Sequence, residues 1–189
     1  YDDNTKEGFI IDPADSPEKI IDLVTRLGVS IKALLLTHGH FDHIGATNAL
    51  KKHYSVDVYA HEAEVDVAKD IMLNLSAHFD EANSVIVDRP LKDSQEFEIA
   101  GFKVKVIHTP GHTPGGVCYY SEAGKFVLTG DTLFAGSIGR TDFPLGSYDA
   151  IISSIKEKLY TLDKGTAVLP GHGEDSVIEN EIRENPYTV

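Results

Sequence analysis

The side chains with the most obvious chemistry are crowded into six positions. The stretch Thr37–Ala46 reads THGHFDHIGA and holds His38, His40, Asp42 and His43. Imidazole and carboxylate together suit zinc or iron rather than calcium or magnesium, which favour oxygen ligands. Two histidines spaced i, i+2, with an Asp-His pair just after them, can face one small volume if the backbone leaves a strand in a tight loop. The chain has 9 histidines in 189 residues, so three of them within six positions are hard to ascribe to an ordinary polar loop.

Three more junctions carry potential ligands. TPGHTPGG (Thr109–Gly116) contains His112, TGDT (Thr129–Thr132) contains Asp131, and LPGHG (Leu169–Gly173) contains His172. Each sets one His or Asp beside a glycine after an apolar run, where glycine lets the backbone turn sharply. Any one of them alone reads equally well as a turn. Together, His38, His40 and His112 can make one three-nitrogen site, Asp42, His43 and His172 a second, and Asp131 can bridge both. Each metal then keeps an open position for water, as catalysis requires.

The elements that must position these residues follow from hydrophobic period. Phe9-Ile10-Ile11 reads as a strand after the turn-rich residues 2–8, with Tyr1 as the last residue of its partner; one or two strands are expected to precede it. Ser16 is placed to cap a helix opened by Pro17 and stopped by Gly28. Ala33–Leu36 is an apolar strand, Asn48–Lys52 a helix, Val56–Ala60 a strand and Glu62–Asp70 a short helix. Residues 71–93 show no clear period; Val85-Ile86-Val87 is a candidate short strand, and packing is favoured over a substrate-facing flap. Glu96–Ala100 with Lys103–His108, and Val117–Tyr120 with Phe126–Thr129, read as hairpins. Tyr148–Leu162 is an amphipathic helix with Ile151, Ile152, Ile155 and Leu159 in its stripe; Thr166–Leu169 is a strand and Ser176–Glu184 a last helix. This order predicts an α/β (α+β) protein with residues 1–189 as one domain: two mixed β-sheets packed face to face, helices outside. His53, His61 and His78 read as surface or packing residues, His108 as a supporting one, and Cys118, Tyr119 and Tyr120 as strand residues.

Composition removes several function classes. The net charge is −13, from 17 basic and 30 acidic residues, with no basic block, so a nucleic-acid partner is not expected. No apolar run approaches about 18 residues, so no membrane partner is expected either. The single cysteine excludes a disulfide framework and agrees with a cytoplasmic location.

The pattern His-x-His-x-Asp-His, followed by His, Asp and His at strand ends, resembles the metallo-β-lactamase superfamily over nearly the whole chain. The resemblance implies a four-layer αββα sandwich with a binuclear site along one edge of the sheets. Asp12 matches the family's first motif, an aspartate that supports the site without ligating metal. Gly130-Asp131-Thr132-Leu133-Phe134 and Gly139-Arg140-Thr141-Asp142-Phe143 look like the short glyoxalase II-like hydrolases and, in Gly-Arg-Thr-Asp-Phe, the persulfide dioxygenases. The bridging Asp131, and ligand positions without cysteine, argue against the antibiotic-hydrolysing branch that carries a cysteine. Arg140 aligns with a cation that glyoxalase II enzymes set against glutathione; the tyrosine that accompanies it there is replaced by Thr141 and Asp142, and the helical C-terminal domain that completes the glutathione pocket in that family is not expected here.

The resemblance therefore implies hydrolysis of a small-molecule thioester, a glutathione-derived one among the candidates, with two divalent ions. Zinc is the first expectation, iron and manganese the alternatives. Asp42 and Asp131 would orient the hydroxide and Arg140 would bind substrate. The rival readings are a mononuclear-iron persulfide dioxygenase, held by His38, His112 and Asp131, and a non-catalytic binding module. The chain is expected as a monomer or homodimer.

Overall fold

Alternation of side chains along each strand sorts this chain into layers. The computed structural model describes residues 1–79 and 82–189. Strands β1 (Glu7–Ile11), β2 (Ser30–Leu35), β3 (Asp57–His61) and β4 (Arg89–Leu91) form one sheet in that order, every pair parallel. In β2, Ala33 and Leu35 face a second sheet, while Leu34, and Leu36 just beyond, face helices. In β3, Val58 and Ala60 face the helices and Tyr59 the other sheet, the period of two expected of strands buried on both faces. The covering helices are α1 (Pro17–Leu27), the single turn α2 (Phe41–Ile44), α3 (Thr47–Tyr54) and α4 (Val65–Lys69), the last preceded by a 3₁₀ turn at Glu62–Glu64.

The second sheet holds β5 (Glu96–Ile99), β6 (Phe102–His108), β7 (Val117–Ser121) and β8 (Phe126–Gly130). A small ribbon, β9 (Leu133–Phe134) with β10 (Ser137–Ile138), interrupts it before β11 (Ala167–Pro170) and β12 (Ser176–Val177) complete the order β12-β11-β8-β7-β6-β5. Only the β8–β11 pair is parallel. Val104, Val106, Val117 and Tyr119 close the space between the sheets. Cys118 and Val127 face outward onto α5 (Tyr148–Glu157) and α6 (Ile178–Glu184), against Ile151, Ile155, Leu159 and Ile178. The layers are thus helices, sheet, sheet, helices. Among the described residues no helix is long and apolar enough to cross a membrane.

Four local expectations are corrected. Only the second sheet is mixed; β1, β2 and β3 of the first each lead into a helical crossover, which returns the chain parallel, and β4 passes directly to β5 of the second sheet. Ser16 occupies the cap position of α1, but its backbone is left-handed (φ 50°) and its hydroxyl bonds Asp15 instead of the helix end. Val85 and Val87 are core residues outside any strand, and pairing begins only at β4; residues 80 and 81 of that stretch lie outside the described residues. Ser176 and Val177 pair with β11, so the last helix starts at Ile178. The α5 stripe is as expected, its last turn tightening to 3₁₀ at Leu159–Thr161.

The loop ends that carry the candidate ligands lie against this core. Buried Tyr119 donates its hydroxyl to the carbonyl of Leu36 (2.8 Å), the residue before the His-rich stretch. Tyr119→Phe leaves that carbonyl without this partner and should lower stability by about 1–3 kcal/mol in urea unfolding. A loss well below that range would show that the bond contributes little.

Candidate metal centre

Asp12 ends β1 in a left-handed conformation (φ 43°), with its amide held by Leu35 O at 3.0 Å. Its carboxylate accepts hydrogen bonds from the Thr37 amide (2.7 Å), the Thr37 hydroxyl (2.5 Å) and His43 Nδ1 (3.0 Å). His43 is thereby fixed with Nε2 free. His38 Nδ1 stands 3.2 Å from the Thr37 hydroxyl, which directs its Nε2 away in the same manner. The loop then closes into the one-turn helix α2, which carries Asp42 and His43. From the second sheet, the turn after β6 brings His112, whose Nδ1 donates to Arg140 O at 2.7 Å; the ends of β8 and β11 bring Asp131 and His172.

All seven residues meet. His38, His40 and His112 present ring nitrogens within 4.8 Å of one another, and so do the donor atoms of Asp42, His43 and His172. His40 Nδ1 is 2.9 Å from His112 Nε2, and His43 Nε2 is 3.2 Å from His172 Nε2. Asp131 lies between the two sets: Oδ1 is 3.3 Å from His43 Nε2, and Oδ2 is 3.7 Å from His112 Nε2 and 3.8 Å from His172 Nε2. Asp42 Oδ2 is 3.4 Å from His172 Nε2. His38, His40, His43 and His112 are buried, whereas Asp42 and His172 are open to solvent, so the second set faces the side from which a small molecule can enter.

The donor chemistry fits divalent metal. Nitrogens held about 2.0–2.1 Å from one tetrahedral ion stand roughly 3.3 Å apart, close to the nitrogen spacings observed. Among the described residues, His38 Nε2 and Asp131 Oδ1 are buried with no hydrogen-bond partner, a costly arrangement that a cation relieves. The cradle is tight as well. A Cβ at Gly171 would sit 2.6 Å from His43 Cε1 and 2.7 Å from Asp131 Oδ1.

Electrostatics separate the two sets. Burial, with neighbouring imidazoles, holds His38 well below its ordinary value, and burial beside His112 takes His40 down to about 3. Burial also lowers His112, against the pull of the Arg140 carbonyl. These three are neutral and offer lone pairs at neutral pH. His43 differs: burial opposes its charge, but Asp12 and Asp131 outweigh burial and push it up to about 10. Asp131, despite burial, is held below the usual carboxylate range by His43, His112 and His172.

Asp12 bonds His43 Nδ1 and both donors of Thr37, and its carboxylate also comes within 4.8 Å of donor atoms of His38 and His43 as a third group of three. Arg140 is exposed, bonds Asp142 through both guanidinium arms (2.8 and 2.7 Å) and stacks on Phe143 at 3.9 Å. Phe143 in turn meets the edge of His40. Phe79 stacks on Phe41 at 4.0 Å, so the 71–79 segment reaches the rim beside Asp42 as well as packing. His108 stacks on buried His61 and bonds Pro114 O, a supporting role for the His112 turn. Sequence reasoning missed Glu64. Its fully buried carboxylate accepts hydrogen bonds from the Gly39 amide (2.8 Å), the Thr113 hydroxyl (2.9 Å) and the Gly115 amide (2.8 Å). Burial pushes its carboxyl up to about 7 against those three donors.

Comparison with known proteins finds relatives that match nearly the whole chain. The family model described as the metallo-β-lactamase superfamily matches residues 2–172. A protein named hydroxyacylglutathione hydrolase GloC, from Haemophilus influenzae, is 39% identical over 98% of this chain and 89% of its own length. The solved structure of BLEG-1 B3 metallo-β-lactamase superposes with a TM-score of 0.94 at 37% identity, covering 100% of this chain and 91% of that one. TTHA1623, solved in a di-iron-bound form, gives 0.83 at 37% identity over 94% and 87%.

Proposed function

The chain belongs to the metallo-β-lactamase superfamily, and we propose that it is a metal-dependent hydrolase that uses two divalent cations, zinc foremost, to cleave a small-molecule thioester. One observation carries the reading: two sets of three donors stand on either side of Asp131. Similarity to a hydroxyacylglutathione hydrolase supports the thioester, and similarity to a protein solved with two irons supports two ions.

Divalent ions supply water acidified towards neutrality and charge stabilisation for a carbonyl oxygen. The chain supplies the rest. His38, His40 and His112 would hold one cation; Asp42, His43 and His172 would hold the other. Asp131, between the two sets, and Asp42 would offer carboxylate oxygens that orient the attacking water. Arg140 O locks the His112 ring, and Asp12 locks His43. A thiolate leaves readily, so no strong general acid is needed.

Metal analysis of the purified protein, run beside turnover of S-lactoylglutathione, a cephalosporin and a persulfide with oxygen uptake, tests the reading. Two ions per chain with thioester cleavage are expected. One iron with oxygen consumption would replace it by the persulfide dioxygenase. Faster β-lactam opening would favour a lactamase, the second reading, which similarity to BLEG-1 supports.

Arg140 is proposed to hold a substrate carboxylate, which must first displace Asp142. Because that pair is exposed, Arg140→Ala should raise KM for a glutathione thioester only roughly fivefold and leave a neutral thioester unchanged. An equal effect on both substrates would remove Arg140 from the binding site.

A further inference from the structure

Glu64 touches none of the seven candidate ligands, yet it joins the two loops that carry three of them. Oε1 accepts from the amide of Gly39, the residue between His38 and His40; Oε2 accepts from the hydroxyl of Thr113 and the amide of Gly115, just after His112. One loop belongs to the first sheet and the other to the second. Each Glu64 oxygen therefore pins one side of the same triad. The carboxylate is fully buried, and three donors compensate it.

The glycines of both motifs answer to the same segment. A Cβ at Gly39 would lie 2.8 Å from the Ala68 amide nitrogen in α4, and a Cβ at Gly115 would strike the Glu64 amide and carboxylate. The two loops are thus drawn onto the 3₁₀ turn and α4 closely enough that only glycine fits. At Gly115 the close neighbour is Glu64 itself, and at Gly39 it is Ala68, four residues further along the same segment.

We propose that Glu64 is a positioning residue that locks the Gly39 and Thr113–Gly115 loops together and so sets the spacing of His38, His40 and His112. Asp12, partly buried, bonds His43 directly and reaches His38 through Thr37, whereas Glu64 acts on the backbone of the loops that carry the triad. The inference depends on the metal-centre reading above, not on the identity of the substrate.

Glu64→Gln keeps volume but turns one acceptor into a donor, leaving at least one of the three loop donors unmatched. The protein is stripped of metal and titrated with zinc against a competing chelator, then loaded with cobalt for its visible spectrum. Loss of a direct partner behind a metal ligand costs about 10–100-fold in affinity, and for Glu64, one step removed on the loop backbones, about tenfold is expected. One zinc equivalent should weaken by that factor, the other should bind as in the wild type, and the cobalt spectrum should shift. Thr113→Val, which removes a single donor, should move the same equivalent by a smaller factor and keeps the test alive if Glu64→Gln does not fold. Wild-type affinity for both equivalents and an unchanged cobalt spectrum, in whichever variant folds, would overturn the proposal and make Glu64 a stability residue alone. Failure of the wild-type protein to bind zinc would overturn the metal-centre reading, and the proposal with it.

Discussion

Asp131→Asn is expected to lower kcat/KM for thioester hydrolysis by about 10³-fold or more, equivalent to roughly 4 kcal/mol of transition-state stabilisation. Its Oδ2 stands between the donor sets, 3.7 Å from His112 Nε2 and 3.8 Å from His172 Nε2, while Oδ1 turns to His43 at 3.3 Å. An amide of the same shape has no negative charge to share between two cations and sets a donor or a weaker acceptor where each carboxylate oxygen stood. The fold should survive, because Asp131 contributes to none of the three apolar clusters and its Oδ1 already lacks a hydrogen-bond partner. Circular dichroism of the metal-free variant should match the wild type, while its thermal unfolding at neutral pH should fall somewhat, because Asp131 is one of the two carboxylates that hold His43 charged. Turnover within tenfold of the wild type would refute the bridging role.

What could be read from the sequence, and what could not, divides along physical lines. His38, His40, Asp42 and His43 are conspicuous because four donors share six positions, and His112, Asp131 and His172 because each follows an apolar run and sits beside a glycine. Polarity at a strand end is a local signal. The β2 run was legible for the same reason, since Leu34, Leu35 and Leu36 are all buried, on alternate faces. Strand direction is not local. Nothing within β1 to β4 states that they run parallel; the crossovers that carry α1, α3 and α4 impose it.

Glu64 was invisible for the opposite reason. It lies in Glu62-Ala63-Glu64-Val65-Asp66, a pattern of alternating acids that reads as a solvated face. Glu62 is indeed exposed, and Glu64 is not, because the two glycine-bearing loops close over it from separate sheets. Ser176 failed similarly. A serine ahead of an apolar–acidic segment resembles a helix cap, but pairing with β11 claims it. For Glu64 the deciding contacts come from 25 to 51 residues away, outside any local window, and for Ser176 from the adjacent strand β11.

The protonation of His43 leads to an unequal pH response of the two cation sites. In the metal-free protein its value of about 10 lies above the unfolded value near 6.5, so the charged ring contributes stability in full below about 6.5 and loses it as pH rises through about 10. A cation at Nε2 needs the neutral ring and must expel that proton. Below pH 10 each unit of added pH therefore strengthens binding at the Asp42, His43 and His172 set about tenfold, or about 100-fold from pH 7 to pH 9. The other triad carries no proton to expel, since His38, His40 and His112 are all held below the ordinary value. Zinc titrations against a chelator at pH 7, 8 and 9 should resolve one equivalent with flat affinity and one that climbs. Replacing Asp12 by Asn removes the charge that favours protonated His43 at Nδ1, so it should flatten the climbing limb as well as weaken that site. Two equivalents with the same slope would mean that His43 is not the proton-bearing ligand, and the division of the centre into these two sets would have to be redrawn.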